Sequence, residues 1–173
     1  MKRLLLVTFI FTALFSLRAE EKFLQLSLTP DIALQSRDTV INGISLSIWG
    51  ENEQHCFALG FVNGGKGDSS GFSWGIVNYA ERYTGLQLGI VNLSNDRVDG
   101  VQWGTVNVAN NVCGLQMGVV NYTKDLNGVQ LGLANIVVNN GWFNKFPDKL
   151  AKGFVFVNTI LLGRPHNVGD CSR

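Results

Sequence analysis

The sequence contains few of the residues that carry out chemistry. It has two histidines and three cysteines, and charged residues make up only 16% of the chain. A catalytic or metal site needs clustered ligands, nucleophiles or proton carriers, and the strands predicted below contain no such cluster. The 14 basic and 13 acidic residues do not form the basic stripe that nucleic-acid binding requires. These shortages predict a non-enzymatic protein with no cofactor, no bound metal and no nucleic-acid partner.

One short segment does bring potential metal ligands together. Glu51, Glu53 and His55 precede Cys56 in the segment ENEQHC, but their spacing is not one that metal sites use, so we expect a solvated turn. The cysteines are also too few for a disulfide framework. They could form one pair and leave one free thiol, and the sequence does not choose the pair among Cys56, Cys113 and Cys171.

Long apolar runs are absent beyond the N-terminus. There, Lys2 and Arg3 precede an apolar run over residues 4–17, which a small residue, Ala19, follows. This layout is typical of a secretory signal peptide, and about 14 apolar residues are too few for a membrane-spanning helix, which needs roughly 20. We therefore expect export, with cleavage near Ala19. Loss of residues 1–19 would leave 11 basic and 13 acidic residues.

Glycine, by contrast, is abundant, and much of it belongs to an eight-residue phrase that recurs every 13 to 15 residues. A fixed short period indicates a repeat array. The seven copies are GISLSIWG (43–50), CFALGFVN (56–63), GFSWGIVN (71–78), GLQLGIVN (85–92), GVQWGTVN (100–107), GLQMGVVN (114–121) and GVQLGLAN (128–135).

Each copy alternates as a β-strand does. If the phrase is numbered from place 1 to place 8, places 2, 4 and 6 are apolar, as in Leu86, Leu88 and Ile90, whereas places 3, 5 and 7 read Gln, Gly, Val in the central copies. Successive side chains of a strand point to opposite faces, so each set should line one face. The sequence therefore predicts an all-β fold.

Two arrangements of these strands fit the period. Short polar connections such as TKD (123–125) resemble hairpin loops and favour an antiparallel meander of about nine strands, which could close into a small barrel. The alternative is a parallel β-solenoid, in which Asn and Gln would stack in ladders and the variation in period would lie at a corner. The 15-residue steps count against the meander, because they would turn the apolar face over unless a bulge compensates.

The period also defines the domain. After the signal peptide (1–19), a single all-β domain should span residues 20–162, with an additional strand at 22–29 and the repeats at 43–140. An irregular cap (141–152), a last strand (153–162) and an irregular tail (163–173) should follow. The glycine-rich segment 64–71 lacks the strand–loop–helix context of a phosphate-binding loop and is expected to be a flexible hairpin loop.

The residues expected to matter are structural. Glycine weakens a strand unless a neighbouring group comes too close for any larger residue, so we expect close packing at place 5. Asparagine likewise recurs at place 8 within this chain. The structural repeat residues are Gly75, Gly89, Gly104, Gly118 and Gly132 at place 5, and Asn78, Asn92, Asn107, Asn121 and Asn135 at place 8.

The repeated phrases contain no charged residue, and the charges lie in the connections between them. The sheet should therefore have one broad apolar face. An exposed apolar patch of that extent is a site of association, and the face must therefore close, fold over, pair or meet lipid. Trp74 and Trp103 occupy place 4 of this face, where core or lipid contact is expected rather than stacking on a sugar.

The tandem phrase, glycine–hydrophobic–Gln–hydrophobic–glycine–hydrophobic–Val–Asn after a signal peptide, resembles an uncharacterised family of bacterial surface-repeat proteins that includes leptospiral members. The resemblance covers residues 22–162, with departures at Ser47, Gly50 and Cys56. It implies export to the cell envelope and carries no activity, substrate or catalytic residue.

These observations predict an exported, non-enzymatic envelope protein with a structural or outer-membrane-associated role, located at the outer membrane or cell surface. Its partner would be the outer membrane or another envelope protein, and it could self-associate. The alternative is a soluble periplasmic or secreted binding module, for which carbohydrate is one candidate ligand.

Overall fold

The computed structural model describes residues 20–139 and 153–160. The expected signal peptide, the expected cap at 141–152 and the expected tail at 163–173 lie outside these residues. Within the described part every regular element is a β-strand, which confirms the all-β prediction. The strands are β1 (Glu21–Thr29), β2 (Ile32–Ala33), β3 (Val40–Asn52), β4 (His55–Trp74), β5 (Val77–Leu88), β6 (Val91–Trp103), β7 (Val106–Met117), β8 (Val120–Val137) and β9 (Gly153–Ile160).

The strands form a β-solenoid of about six turns, so the antiparallel meander and its closure into a barrel are wrong. From β3 to β8 every neighbouring pair is parallel, and each residue pairs with its counterpart one repeat later. Val77 pairs with Val91, which pairs with Val106. Antiparallel pairing occurs in the described sheet only at its two ends, between β1 and β2 and between β8 and β9.

Each coil turns at two corners. One corner falls at places 5 and 6, where the strands break at glycine and the residue after it, as at Gly89 and Ile90. The other is a polar corner inside the segments that had been interpreted as hairpin loops. It holds one residue, Glu81, in one coil and two residues, Asn95 and Asp96, in the next. This difference accounts for the alternation between 14 and 15 residues, as the solenoid alternative predicted.

The expected flexible hairpin loop at 64–71 is also absent. These residues lie within β4, which continues through the polar corner from one coil to the next. Gly65 still pairs with Ala80, and pairing resumes between Asp68 and Arg82 after a shift in register. The glycines there follow the path of the coil instead of closing a turn between antiparallel strands.

The interior of the coil is largely polar, whereas the apolar places face outward. The Gln residues of place 3 and the Asn residues of place 8 are 0–1% exposed in the four central coils. The residues at place 6 are exposed, and those at places 2 and 4 are exposed or half-buried. The interior also holds apolar side chains near the polar corner, and the larger cluster of these comprises Val98, Ala109, Val112, Leu126 and Val137.

Two amide ladders pair most of this polar interior, although Oε1 of Gln130, at the end of its ladder, has no partner among the described residues. Along place 8, Nδ2 of each Asn donates to Oδ1 of the Asn in the next coil at 2.8–2.9 Å, from Asn63 to Asn135. Along place 3, Nε2 of each Gln donates in the reverse direction to the preceding coil at 2.7–3.0 Å, from Gln130 back to Gln87. Because buried amides are costly only when unpaired, the ladders make a polar interior compatible with folding. Their amide dipoles point in opposite directions along the solenoid.

Candidate functional site: an apolar groove along the solenoid

The most distinctive surface feature is a groove beside the glycine corner. Its floor is the backbone of place 5, and its two walls are the side chains of places 4 and 6. Its volume is about 1040 Å³, at the upper end of the range for small-molecule sites. The floor runs from Ser47 through Gly60, Gly75, Gly89 and Gly104 to Gly118.

The walls are apolar and exposed. In the wall at place 4, Trp74 and Trp103 are 60% and 57% exposed, and in the wall at place 6 Ile90 is 54% exposed. Thr105 and Ser47 are the polar side chains among the lining residues, and none of the lining residues is charged. Of the two environments expected for these tryptophans, core contact is therefore wrong, because both side chains stand on the outside of the coil. Lipid contact stays a prediction.

The groove continues toward the N-terminal end of the solenoid. A second concavity of about 540 Å³ shares Ser47 with the first and is lined by Leu26 and Leu46 at place 4 and by Leu28 and Ile48 at place 6. The hairpin strand β2 contributes Ile32 and Ala33 to this end. The two concavities therefore follow one line across the coils.

Glycine forms the floor because the asparagine ladder lies directly beneath it. A Cβ atom on Gly104 would lie 2.5 Å from the backbone oxygen of Gly89 and 2.7 Å from Nδ2 of Asn92. The same Asn side chains brace the corner from inside, as Nδ2 of Asn107 donates to the backbone oxygen of Met117 at 2.9 Å. The two sets of residues singled out in the sequence, at places 5 and 8, thus come together as one structural unit.

The backbone N–H groups of three consecutive floor residues are already paired. The amides of Gly89, Gly104 and Gly118 donate to the carbonyl oxygens of Trp103, Met117 and Leu131 in the next coil at 2.9–3.0 Å. Ile90 and Val119, on the neighbouring wall, donate likewise to the preceding coil at 2.9 Å. A molecule in the groove would therefore meet apolar side chains and backbone amides that are already paired.

The charged side chains lie elsewhere, many of them at the polar corner. Arg82 Nη2 donates to Asp68 Oδ2 at 2.8 Å, and Arg97 Nε lies 2.9 Å from Asp99. Exposed ion pairs of this kind contribute little to stability. They do, however, divide each coil into a charged corner and an apolar corner, and only the apolar corner adjoins the groove.

The segment ENEQHC does not assemble into a metal site. His55 Nδ1 lies 2.8 Å from Ser70 Oγ, and its Nε2 lies 3.8 Å from Glu53. Glu51 instead accepts a hydrogen bond from Tyr79 at 2.7 Å, and the Cys56 thiol is buried. Among the described residues no group of three or more His, Cys, Asp or Glu is placed to hold a metal ion.

Burial also makes these groups poor acids. Desolvation raises the pKa of the Cys56 thiol from 9.0 to about 12, although a hydrogen bond with the Ser45 backbone opposes the shift. Desolvation likewise raises the pKa of Tyr79 to about 12; a hydrogen bond with Trp49 lowers this pKa by a smaller amount, and Glu51 raises it. Because a reactive cysteine needs thiolate character, Cys56 is a structural thiol. Cys113 is disulfide-bonded.

The stacked glutamines of place 3 agree with the solenoid alternative, in which Asn and Gln form ladders. Sequence reasoning missed one feature of this region. Place 1 is not among the structural repeat residues predicted from the sequence, yet Gly100 has φ of 141°, and a Cβ there would collide with the Gly85 backbone oxygen. The recurrence of glycine at place 1 in six of the phrases was the signal that could have identified it.

Comparison with known proteins gives no match to a protein-family model, to a curated protein or to a solved structure. In the described part of the chain, no helix has the length and apolar character to cross a membrane.

Proposed function

We propose that the protein is an exported, non-enzymatic component of the cell envelope that attaches to the outer membrane through the apolar corner of its solenoid. The observation that supports this proposal most directly is the exposed row at place 6. It includes Phe61, Ile76, Ile90, Val119 and Leu133, which are 44–59% exposed. A row of that length costs free energy in water, and such patches mark interaction sites.

The distribution of charge favours a membrane surface as the partner. Apolar side chains project from one corner of each coil, and charged side chains lie at the other, so the solenoid is amphipathic about its long axis. Amphipathic helices lie in the membrane interface with their apolar face toward the acyl chains, and we expect an amphipathic solenoid to do the same. The ladders and interstrand bonds already pair the backbone, which is a requirement for any segment that enters an apolar phase.

A second candidate function is a soluble periplasmic or secreted carbohydrate-binding module, which the exposed Trp74 and Trp103 favour. Sugar sites, however, combine aromatic side chains with placed polar groups that fix orientation. The groove offers the hydroxyls of Ser47 and Thr105 and no charged or amide side chain. We therefore favour membrane attachment.

Vesicle flotation tests the proposal with two variants that add the same charge at opposite corners. Ile90→Asp places a carboxylate in the exposed apolar row, and Asn95→Asp places one at the polar corner, where Asn95 is exposed. We expect the parent and Asn95→Asp to float with phosphatidylethanolamine–phosphatidylglycerol vesicles and Ile90→Asp to remain at the bottom of the gradient. Equal flotation of the two variants would contradict attachment through this corner.

Fractionation of native cells tests the location. We expect the protein, cleaved near Ala19, to sediment with outer membranes and to be released by high pH more readily than an integral protein. Recovery of the whole population in the soluble periplasmic fraction would favour the second candidate function.

A further inference from the structure

The groove is too narrow for most polymeric partners. The Cα atoms that carry its two walls are two residues apart in the chain, which is at most about 6.6 Å at 3.3 Å per residue, because the chain turns at places 5 and 6. An α-helix with its side chains is about 10–12 Å wide. A helix could rest on the rims at Trp74 and Trp103 but could not reach the glycine floor. The occupant that contacts the floor must therefore be a thin rod.

The hydrogen bonding of the groove excludes an extended peptide as a good occupant. A peptide strand would bring its own N–H and C=O groups, which must be paired when they leave water. The amides of Gly89, Gly104 and Gly118 are already bonded to the next coil, so the floor cannot supply the donors. The exposed edge that strand addition requires is also absent here, because the groove crosses the coils instead of running along a strand.

The remaining chemistry is that of a neutral hydrocarbon chain. Consecutive coils are about 4.8 Å apart, so the four steps from Gly60 to Gly118 make a straight trough of about 19 Å. The concavity around Ser27 and Ser47 continues the same line. The lining residues are uncharged throughout, and the charged side chains of the polar corner are too distant to contact an occupant.

We propose that this groove binds a single acyl chain of a membrane lipid, laid along the solenoid axis between the walls of places 4 and 6, with its headgroup at one end of the trough. The apolar walls would replace water around the chain. The chain would lie on the place-5 backbone, which glycine keeps close to the asparagine ladder beneath it. The proposal deepens the lipid-facing function proposed above and rests on it for the source of the ligand.

Titration with lysophosphatidylcholine tests the proposal, since each molecule carries one acyl chain and no net charge. Affinity is measured by calorimetry and by tryptophan fluorescence, below the micellar concentration, for chains of 8, 10 and 12 carbons. Because each buried CH₂ contributes about 0.8 kcal/mol and an open groove buries about half of it or more, we expect affinity to rise about two- to fourfold per carbon. Affinity that does not depend on chain length would overturn the proposal.

A matched pair of variants tests whether the acyl chain binds in the groove. Thr105→Trp narrows the trough from an exposed position on the wall, and Thr84→Trp makes the same change at an exposed position near the polar corner. We expect the first variant to bind the 12-carbon lipid at least about tenfold more weakly, and the control to bind as the parent does. Should Thr105→Trp misfold, Ile90→Ser, which makes one wall polar, takes its place. Unchanged binding by a folded groove variant would overturn the proposal.

The lipid titration and the vesicle flotation can fail independently of each other. Length-dependent binding by a protein that does not float with vesicles would uphold the acyl-chain site and reject membrane attachment, leaving a soluble lipid carrier. Flotation without length-dependent binding would uphold attachment and reject the site. Saturable binding of maltohexaose that Thr105→Trp abolishes, or a dimer formed through the groove, would also reject it.

Discussion

The asparagine ladder can be tested by exchanging a single atom. Asn107 is fully buried; its Oδ1 accepts from Asn92 at 2.8 Å, and its Nδ2 donates to Asn121 Oδ1 at 2.8 Å and to the Met117 carbonyl at 2.9 Å. Asn107→Asp keeps the shape and replaces this donor with an oxygen. At neutral pH the new oxygen would face two acceptors at hydrogen-bonding distance.

Asn107→Asp should lower the free energy of unfolding because the new carboxylate is buried and because a hydrogen-bond donor is lost. A fully buried carboxyl can have its pKa raised by up to about 3–5 pH units. At pH 7 the loss is limited to the roughly three pH units between pH 7 and the unfolded pKa, which at 1.36 kcal/mol per unit is about 4 kcal/mol of stability. This is a large part of the 5–15 kcal/mol that typically holds a domain folded. Because the folded pKa would exceed the unfolded value of about 3.9, the variant should be most stable below about pH 4 and lose stability as pH rises toward 8.

Thermal melts followed by circular dichroism from pH 4 to pH 8 measure this effect. We expect Asn107→Asp to melt at least about 10 °C below the parent at pH 7 and to recover part of the difference at pH 4, where the protonated carboxyl can donate one bond. The control is Asn95→Asp at the polar corner, where the side chain is exposed, and it should show neither effect. Equal melting of the two variants at pH 7 would refute the buried ladder.

Three further outcomes follow from the same geometry. Gly104→Val should destabilise the fold by about 1–3 kcal/mol or more, because its Cβ would meet the floor backbone, whereas Asn110→Ser should have little effect in the same melts. Cys56 should resist iodoacetamide in the folded protein and react after unfolding in urea, as judged by mass. Stability should fall as pH rises from about 9 toward 12, because folding raises the pKa of Cys56 and of Tyr83, both mainly by desolvation. Denaturant titrations at pH 8 and pH 10.5 would measure this loss of stability. Equal stability at the two pH values would contradict the prediction.

The sequence predicted the period and the all-β class, because these depend on local alternation that a single repeat already shows. It placed the strand ends wrongly, since the strands break at places 5 and 6 inside each phrase and continue through the polar connections. It did not distinguish parallel from antiparallel pairing, since a short polar segment such as TKD can close a hairpin or round a corner. What distinguishes them is which residue lies beside Asn107, and in the structure it is Asn92 on one side and Asn121 on the other. The steps of 15 residues favoured parallel coils, because a corner absorbs an extra residue without turning a strand over, whereas a meander needs a bulge to do so.

The orientation of the faces was harder to predict. Hydrophobicity assigns Leu88 and Trp103 to an interior and Gln102 to a surface, but the structure places them the other way round. The rule fails because a stacked amide satisfies its own donor and acceptor by repetition, so the usual cost of burying it is offset. Only the recurrence of Gln at the same place in four phrases indicated such a ladder. This recurrence brings the glutamines together only if the strands are parallel.

This inversion links the fold to the candidate site. In most domains exposed apolar side chains are the remainder of a core, but here the coil is held by amide ladders, by backbone bonds between coils and by a small apolar cluster around Val98 and Val112. Ile90 and Trp103 therefore form walls of the groove on the outside of the coil and contribute little to the interior of the coil. It follows that Ile90→Asp should change lipid binding while the melting temperature stays near that of the parent. In a protein whose apolar residues form its core, a change of that kind would abolish both.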